Sequence, residues 1–162
     1  YGVEMTMSEA RHLHALFRLS YRAVPNYWRE QIRFARTNGF VETISGARCY
    51  LDYNEADDSR AWALDQTAIN YPIQGSGADL KFAALALVMR YVRKAGGQFF
   101  FELHDALFFL FPEDRAHEAG VKLSRLFNEI DYSETFGFQH VQGVRFPVEV
   151  KVGLNWGEME AI

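Results

Sequence analysis

The sequence feature that most constrains the fold is the apolar segment QFFFELHDALFFLF at positions 98–111. Its aromatic and aliphatic residues favour β-strands, and the polar pair His104-Asp105 interrupts them in the middle. We therefore predict two strands joined by a tight turn that carries those two residues. Pro112 is expected to end the second strand, because proline cannot donate to a strand ladder.

Helices are expected on both sides of this hairpin. Apolar residues at helical spacing, with caps, prolines and glycines at the ends, predict five of them, at about 8–19, 25–36, 60–70, 74–94 and 114–128. Ser8 is expected to cap the first helix, Asn38-Gly39 to close the second, and Pro72 to interrupt the chain between the third and fourth.

Two further strand regions complete the prediction. FVETISGARCYL reads as two short strands around Ser45-Gly46, and residues 146–152 alternate as a final strand that we expect in the same sheet as the hairpin. Helices and antiparallel strands in this order indicate an α+β domain with helices packed on one sheet face.

Composition narrows the class of protein. The chain has 162 residues, 49% of them hydrophobic, which is enough to bury a core. Its one cysteine, Cys49, excludes an internal disulfide and a cysteine-rich zinc site and fits a reducing compartment. No apolar run approaches the roughly 18 residues of a membrane span, and the first residues do not resemble a signal peptide.

Charge is distributed unevenly along the chain. The net charge is −4 overall, from +3 in residues 1–51, −1 in 52–98 and −6 in 99–162. A basic N-terminal part and an acidic C-terminal part suit a protein that holds a polyanion at one end and cations at the other. Ordinary scatter of surface charge gives the same pattern.

Asp105 is the most informative single residue. An ionised carboxylate beside so much apolar sequence is costly unless a positive partner compensates it, and a bound cation is one such partner. The alternative is that Asp105 only forms the turn, as aspartate often does. His104-Asp105 also matches the short HD signature of metal phosphohydrolases, which requires the pair on a helix with further ligands nearby.

The stretch NYPIQGSGADLKFAAL at 70–85 carries a second pattern. Asn70 and Gln74 flank a proline at the start of a helix whose first turn is made of small residues. Amide side chains both donate and accept, so they can bond to base or sugar edges without adding charge. The alternative is a capped helix that packs tightly on a sheet.

These segments together resemble family A DNA polymerases, the class that includes bacterial DNA polymerase I. Residues 70–79 resemble the N-x-P-x-Q-G-x-x-A-D segment of the family, and Leu103-His104-Asp105 the start of motif C. Residues 150–156 resemble the last strand and the G-x-x-W ending. Residues 39–48 resemble the G-Y-V-x-T…G-R hairpin, and Tyr1-Gly2 the end of motif B. The resemblance covers almost the whole chain, with the motifs in family order.

The resemblance implies the C-terminal part of a polymerase domain. Residues 1–51 would be helices and a hairpin derived from the fingers, and 52–162 the palm, with an antiparallel palm sheet that carries motif C. Motif A, most of motif B and the thumb precede Tyr1 in the family, so the chain is expected to be cut from something longer. The implied reaction is template-directed addition of deoxynucleotides by a mechanism with two Mg²⁺ ions.

The same resemblance implies roles for individual residues. Asp105 would be the metal ligand and catalytic carboxylate, sharing two Mg²⁺ ions with a carboxylate outside this chain, and His104 would support the primer end. The residues implied to contact DNA are Asn70, Gln74 and Arg48, and those implied to contact the nucleotide are Tyr1 and Gly2. The partners would be primer-template DNA, deoxynucleoside triphosphates and the remaining N-terminal polymerase segment, in cis or as a second chain, with no membrane. The implied location is the cytoplasm of a bacterial cell or a phage-infected host.

Two departures from the family pattern stand out. Motif C usually reads H-D-E, and Ala106 replaces the glutamate; Gln66 stands where many members have an arginine that contacts DNA. They indicate a divergent branch, which we expect to be viral, with weaker or altered activity. The alternative from another class is a non-catalytic DNA-binding or scaffold remnant.

Overall fold

The computed structural model describes residues 4–54 and 56–162. Its α-helices are α1 Met7–Ser20, α2 Ala23–Asn38, α3 Asp58–Lys94, α4 Glu113–Asn128 and α5 Tyr132–Phe136, with 3₁₀ turns at Gln139–Val141 and Trp156–Glu158. The described strands form three antiparallel pairs: β1 Phe40–Glu42 with β2 Arg48–Tyr50, β3 Gln98–Leu103 with β4 Ala106–Leu110, and β5 Lys151–Val152 with β6 Glu160–Ala161. The α+β class is confirmed.

The chain forms two compact units that divide between Ile73 and Gln74. Each unit has its own buried residues. None of the helices in the described ranges is long and apolar enough to cross a membrane.

The first two helices are bounded by caps. The sequence prediction that Ser8 caps α1 is wrong, since Thr6 does so: its hydroxyl accepts from the Glu9 N–H at 3.2 Å, while the Glu9 carboxylate accepts from the Thr6 N–H at 2.8 Å. Such a reciprocal box satisfies two amide donors at once, which a cap at Ser8 would leave open. Gly39 closes α2 with φ +74°, as predicted.

The core of the first unit lies between α2, the β1–β2 hairpin and the start of α3. Ala35, Val41, Leu51 and Ala68 are buried against one another. Val41 pairs with Cys49 across the hairpin, which confirms the two short strands predicted around Ser45-Gly46. This packing places Arg48 on the second strand of the hairpin.

A polar cluster borders this core. Arg36 bonds both carboxylate oxygens of Asp65, at 3.1 and 2.7 Å, and the Tyr53 hydroxyl donates to the same carboxylate at 3.2 Å. Burial, followed by the charge of Asp65, raises the pKa of Tyr53 to about 12. The phenol is therefore a neutral donor at physiological pH and ties the 51–54 loop to α3.

Helix α3 is continuous, and the prediction that Pro72 interrupts it is wrong. A proline inside a helix removes one hydrogen bond and costs about 3 kcal/mol. Burial on this helix outweighs that cost, because residues every four positions are buried before and after the proline. They are Ala68, Ser76, Leu80, Ala84, Val88 and Val92. Asp57 caps the start of α3 by accepting from the Arg60 N–H at 2.8 Å.

In the second unit, α4 packs on β5 through a glycine. A Cβ at Gly120 would lie 2.7 Å from the Val152 Cγ2 and 2.7 Å from the Ile162 Cδ1. Because glycine has no side chain, it permits this approach without displacing either methyl group. The helix therefore packs closely against β5 and the C-terminal Ile162.

The predicted strand at 146–152 is corrected in length and in partner. Only Lys151–Val152 is a strand, and it pairs with Glu160–Ala161 instead of joining the 98–110 hairpin. The side-chain amide of Asn128 accepts from the Val148 N–H at 2.9 Å and donates to the Val148 carbonyl at 3.1 Å. Both backbone groups of Val148 are thus satisfied without a neighbouring strand.

Candidate active site

The β3–β4 hairpin presents His104 and Asp105 as its two-residue loop. Leu103 pairs with Ala106 directly below the loop, and the register is irregular between Phe99 and Phe101. Both loop residues are exposed. The predicted hairpin, with Asp105 in its turn, is confirmed. The phosphohydrolase alternative, which required the pair on a helix, is thereby rejected.

His104 has an unusual backbone conformation. Its φ is +54°, and it is the only residue other than glycine with positive φ among those described. A positive φ costs an L-residue about 1–2 kcal/mol, because its Cβ comes close to the following carbonyl oxygen. Strained backbone of this kind persists only where the surroundings hold it in place. Asp105 therefore follows a residue that the fold constrains.

An aromatic cluster supports the hairpin from one side. The rings of Phe101 and Phe108 stack across the two strands, 4.3 Å apart and 7° from parallel. Trp156 packs on both, at 5.4 and 4.9 Å between ring centroids. The C-terminal segment thus reaches the hairpin through side-chain packing and not through a strand ladder.

The structure explains why glycine and tryptophan occupy positions 153 and 156 of the G-x-x-W ending. A Cβ on Gly153 would overlap the backbone carbonyl group of Glu158. The Asn155 side chain accepts from the Gly157 N–H at 3.0 Å and donates to the Glu158 carboxylate at 2.6 Å. These contacts fold the segment back on itself and place Trp156 against the hairpin rings.

Replacing Gly153 by alanine is expected to lower the free energy of unfolding by about 1–3 kcal/mol, the usual range for overpacking. The matched control is Gly77→Ala in α3, where no heavy atom lies within 4 Å of the added Cβ. That change should be neutral or stabilise by about 0.5–1 kcal/mol. Urea denaturation followed by circular dichroism measures both. Equal stability of wild type and Gly153→Ala would contradict the packing described for this segment.

Lys81 is a residue near the turn that the sequence analysis missed. Its ammonium group, on α3, donates to the Glu102 carboxylate and to the His104 backbone carbonyl at 2.8 Å. These partners lie 21 and 23 residues further along the chain, so no local pattern signals the contact. The lysine links the part of α3 after Gln74 to the turn that carries Asp105.

The Asp105 carboxylate itself takes part in no hydrogen bond or ion pair within the described chain. Nor do the described residues bring together three or more His, Cys, Asp or Glu side chains that could hold a metal ion. The turn thus offers a single unpaired carboxylate on a constrained support. Such a group can contribute to a cation site, and it needs further ligands from elsewhere to complete one.

The residues predicted to contact DNA lie on different elements. Asn70 and Gln74 are both exposed on α3, the first in the N-terminal unit and the second in the C-terminal unit. Arg48 lies on β2, where its Nε donates to the Glu42 carboxylate at 2.6 Å and its guanidinium lies 4.2 Å from the Phe40 ring centre. The hydrogen bond with Glu42 is also the main reason why the pKa of Arg48 is raised.

These positions leave the predicted DNA contacts as predictions. A phosphate at Arg48 would have to compete with Glu42 for the guanidinium. The two residues predicted to contact the nucleotide, Tyr1 and Gly2, lie outside the described part of the chain.

Comparison of the chain with known proteins identifies its family. The model for DNA polymerase family A matches residues 2–158. DNA polymerase I of Chloroflexus aurantiacus is 29% identical in an alignment of 163 positions that covers 99% of this chain and 16% of that protein. DNA polymerase theta of Drosophila melanogaster is 31% identical in an alignment of 165 positions that covers 95% of this chain and 8% of that protein.

A solved structure has the same fold over most of the chain. The POL domain of Pol1 from M. smegmatis, in complex with a DNA primer-template and dNTP, superimposes with a TM-score of 0.68 at 26% identity. The match covers 78% of this chain and 23% of that one. The chain thus spans only a small part of the length of its relatives. Because the family model matches residues 2–158, including the N-x-P-x-Q-G segment, the hairpin turn and the G-x-x-W ending, the chain belongs to DNA polymerase family A.

Proposed function

We propose that this chain is the C-terminal part of a DNA-directed DNA polymerase and that it acts with the preceding part of the polymerase domain. The reaction is template-directed addition of deoxynucleotides to a primer 3′ end. The observation that carries the proposal is Asp105, an exposed and unpaired carboxylate on a constrained hairpin turn. The relative solved with primer-template and dNTP supports DNA and nucleotide as partners.

The donor chemistry at the turn fits Mg²⁺. This ion prefers oxygen ligands and commonly takes one or two carboxylates, with the remaining positions filled by water and substrate phosphates. Asp105 supplies one carboxylate, and a second must come from outside these residues. Asp105 would hold such ions together with that second carboxylate, and when bound they would supply Lewis-acid stabilisation of negative charge during in-line displacement.

The other residues would hold the substrates in place. His104 would support the primer terminus beside Asp105. Gln74 and Asn70 would donate to the minor groove of the new base pair, where every pair presents acceptors at purine N3 and pyrimidine O2. Such contacts check the geometry of the pair without reading its sequence. Arg48 would contact the DNA backbone.

In the whole enzyme, residues 1–51 would belong to the fingers and 52–162 to the palm. Tyr1 and Gly2 would then lie beside the nucleotide that is being inserted. A polymerase of this kind works where its DNA is, which for a bacterial or phage enzyme is the cytoplasm of the cell.

Primer extension tests the proposal. The chain is combined with the preceding segment of its polymerase domain, a labelled primer-template, deoxynucleoside triphosphates and Mg²⁺. Products that lengthen according to the template support the polymerase assignment. Binding of primer-template without any extension would instead support the non-catalytic alternative, a DNA-binding or scaffold remnant.

Replacing Gln74 by alanine is expected to lower the catalytic efficiency of correct insertion by roughly 1–3 kcal/mol in transition-state terms, the scale for a lost hydrogen bond to a buried partner. Single-turnover primer extension with correct and mismatched nucleotides measures both efficiency and fidelity. The matched control is Gln142→Ala, which removes an exposed glutamine outside α3. Unchanged efficiency and fidelity in Gln74→Ala would argue against a minor-groove contact.

A further inference from the structure

We infer that Lys81 is a positioning residue for Asp105: it holds the peptide bond between His104 and Asp105 in the orientation that the catalytic turn requires. This inference rests on the proposed role of Asp105 as the metal-binding carboxylate. It concerns a helix residue that is distant in sequence from the turn and is not itself expected to touch substrate.

Lys81 is mostly covered, and its ammonium group is held by several partners. Its side chain is 14% exposed, whereas the side chain of its ionic partner Glu102 is 43% exposed. The ammonium donates to the Glu102 carboxylate and, at 2.8 Å, to the His104 carbonyl, and it lies 4.7 Å from the Phe82 ring centre. These partners satisfy the donors of an ammonium group that is mostly covered.

The position of the accepted carbonyl gives the bond its effect. The His104 carbonyl belongs to the planar peptide group that leads into Asp105, so fixing its oxygen restricts the two torsions on either side of that group. The strand ladder ends at the pair Leu103 and Ala106, below this peptide. Lys81 therefore supplies, from α3, a constraint that the hairpin's own ladder does not provide.

The same bond accounts for the strained residue in the loop. His104 has φ +54°, a conformation that a residue other than glycine keeps only where neighbouring groups hold it. A charge-assisted bond to its carbonyl is stronger than a neutral one and resists rotation of the turn. Without Lys81 the loop would be free to relax, and the Asp105 carboxylate would move with it.

Glu102 has a separate part in this arrangement. Its carboxylate balances the ammonium charge, so the anchor adds little net positive charge beside a turn that is to bind cations. The carbonyl bond, and not the ion pair, orients the peptide. Removing the glutamate charge should therefore disturb catalysis less than removing the lysine.

The test uses the active polymerase assembled from this chain and the preceding segment, with primer extension measured over a range of Mg²⁺ concentrations. Lys81→Met is expected to lower kcat about 10-fold or more, because displacement of a catalytic group by about 1 Å can cost up to 10²-fold. The Mg²⁺ concentration at half-maximal rate should rise, while KM for primer-template stays within about twofold, since the DNA contacts are elsewhere. Lys81→Arg should recover most of the loss, because it keeps the charge and the donors.

Mg²⁺ dependence separates positioning from folding. A variant that merely unfolds has fewer active molecules, which lowers the rate without changing the Mg²⁺ concentration at half-maximal rate. The matched control is Lys94→Met, which removes an exposed lysine from the last turn of the same helix. It should leave both quantities unchanged.

Three results would overturn the inference. They are an unchanged Mg²⁺ dependence in Lys81→Met, no rescue by Lys81→Arg, and a loss in Glu102→Gln as large as that in Lys81→Met. If Lys81→Met does not fold, the shorter and uncharged Lys81→Gln takes its place with the same expected direction. Asp105→Asn is measured in parallel: if it is inactive while Lys81→Met behaves as wild type, only the role of Lys81 fails. If Asp105→Asn is fully active, the proposed function fails as well.

Discussion

Replacing Asp105 by asparagine is expected to remove most primer extension from the assembled polymerase while leaving the chain folded. Asparagine has the same size and also forms tight turns, so the hairpin should persist. The change removes the negative charge that attracts a divalent cation. Loss of one preorganised charge-stabilising group at a reacting centre typically costs about 10²–10³-fold in rate, and loss of a metal ligand is expected to cost at least as much.

The matched control is Asp114→Asn, which removes the same charge from an exposed position in the first turn of α4. It should extend primers at the wild-type rate. Circular dichroism and thermal melting show whether each variant is folded. A folded Asp105→Asn enzyme that extends primers as well as wild type would rule out Asp105 as the metal ligand, and the central proposal would be wrong.

The hairpin was predictable because its signal is local. Strand formers fill positions 98–111, and one polar pair marks the turn, so hydrophobicity and turn chemistry give the same answer. The same holds for α2, where Pro25 lies in the first turn and Gly39 closes the last. The sequence predicts the structure where neighbours along the chain decide the conformation.

Pro72 and the C-terminal strand show where local reasoning stops. The rule that proline ends a helix is an energetic preference of about 3 kcal/mol, and burial of residues spaced along both sides of Pro72 exceeds it. The alternation at 146–152 is a strand signal, but a strand also needs a partner. Asn128 occupies the backbone groups of Val148 instead. Both outcomes depend on tertiary contacts that the local sequence does not carry.

Part of the candidate site is predictable from the local sequence, and part depends on contacts between distant residues. Asp105 could be found from sequence because an acid in the middle of an apolar run is conspicuous, and the family resemblance implies a role for it. The anchor from Lys81 could not be found, since it joins residues that only the fold brings together. Ala106 follows Asp105 and supplies no second carboxylate, which adds weight to such supports.

The 162-residue chain by itself is expected to incorporate no nucleotide. A two-metal site needs carboxylates on both sides of the ions, and the described residues contain no group of three or more potential ligands. Affinity for duplex DNA should also be poor, because residues 99–162 carry a net charge of −6 and offer few partners for phosphates. Primer extension and a salt-dependent binding assay with the isolated chain measure both expectations.

Adding the preceding segment as a second chain is expected to restore activity. No residue of α1 is buried, and its Leu13, Leu16 and Phe17 are exposed at helical spacing. An apolar stripe of this kind favours association with a covering surface. The rate of primer extension should therefore rise with the concentration of the added segment and then saturate. Leu16→Glu should shift saturation to a higher concentration of the segment. The control Arg18→Glu, on the same helix, should leave the saturating concentration unchanged.

These primer-extension results show whether the chain needs the preceding segment for activity or is active alone. If the purified chain extends primers unaided, with the same rate at every concentration of the added segment, its own residues complete the metal site. The assignment of Asp105 to one half of a shared site would then be wrong. If the mixture is active and loses its activity when this chain alone carries Asp105→Asn, the two parts contribute to one catalytic centre. The added segment is unchanged and the variant chain is still folded, so the loss comes from that single carboxylate.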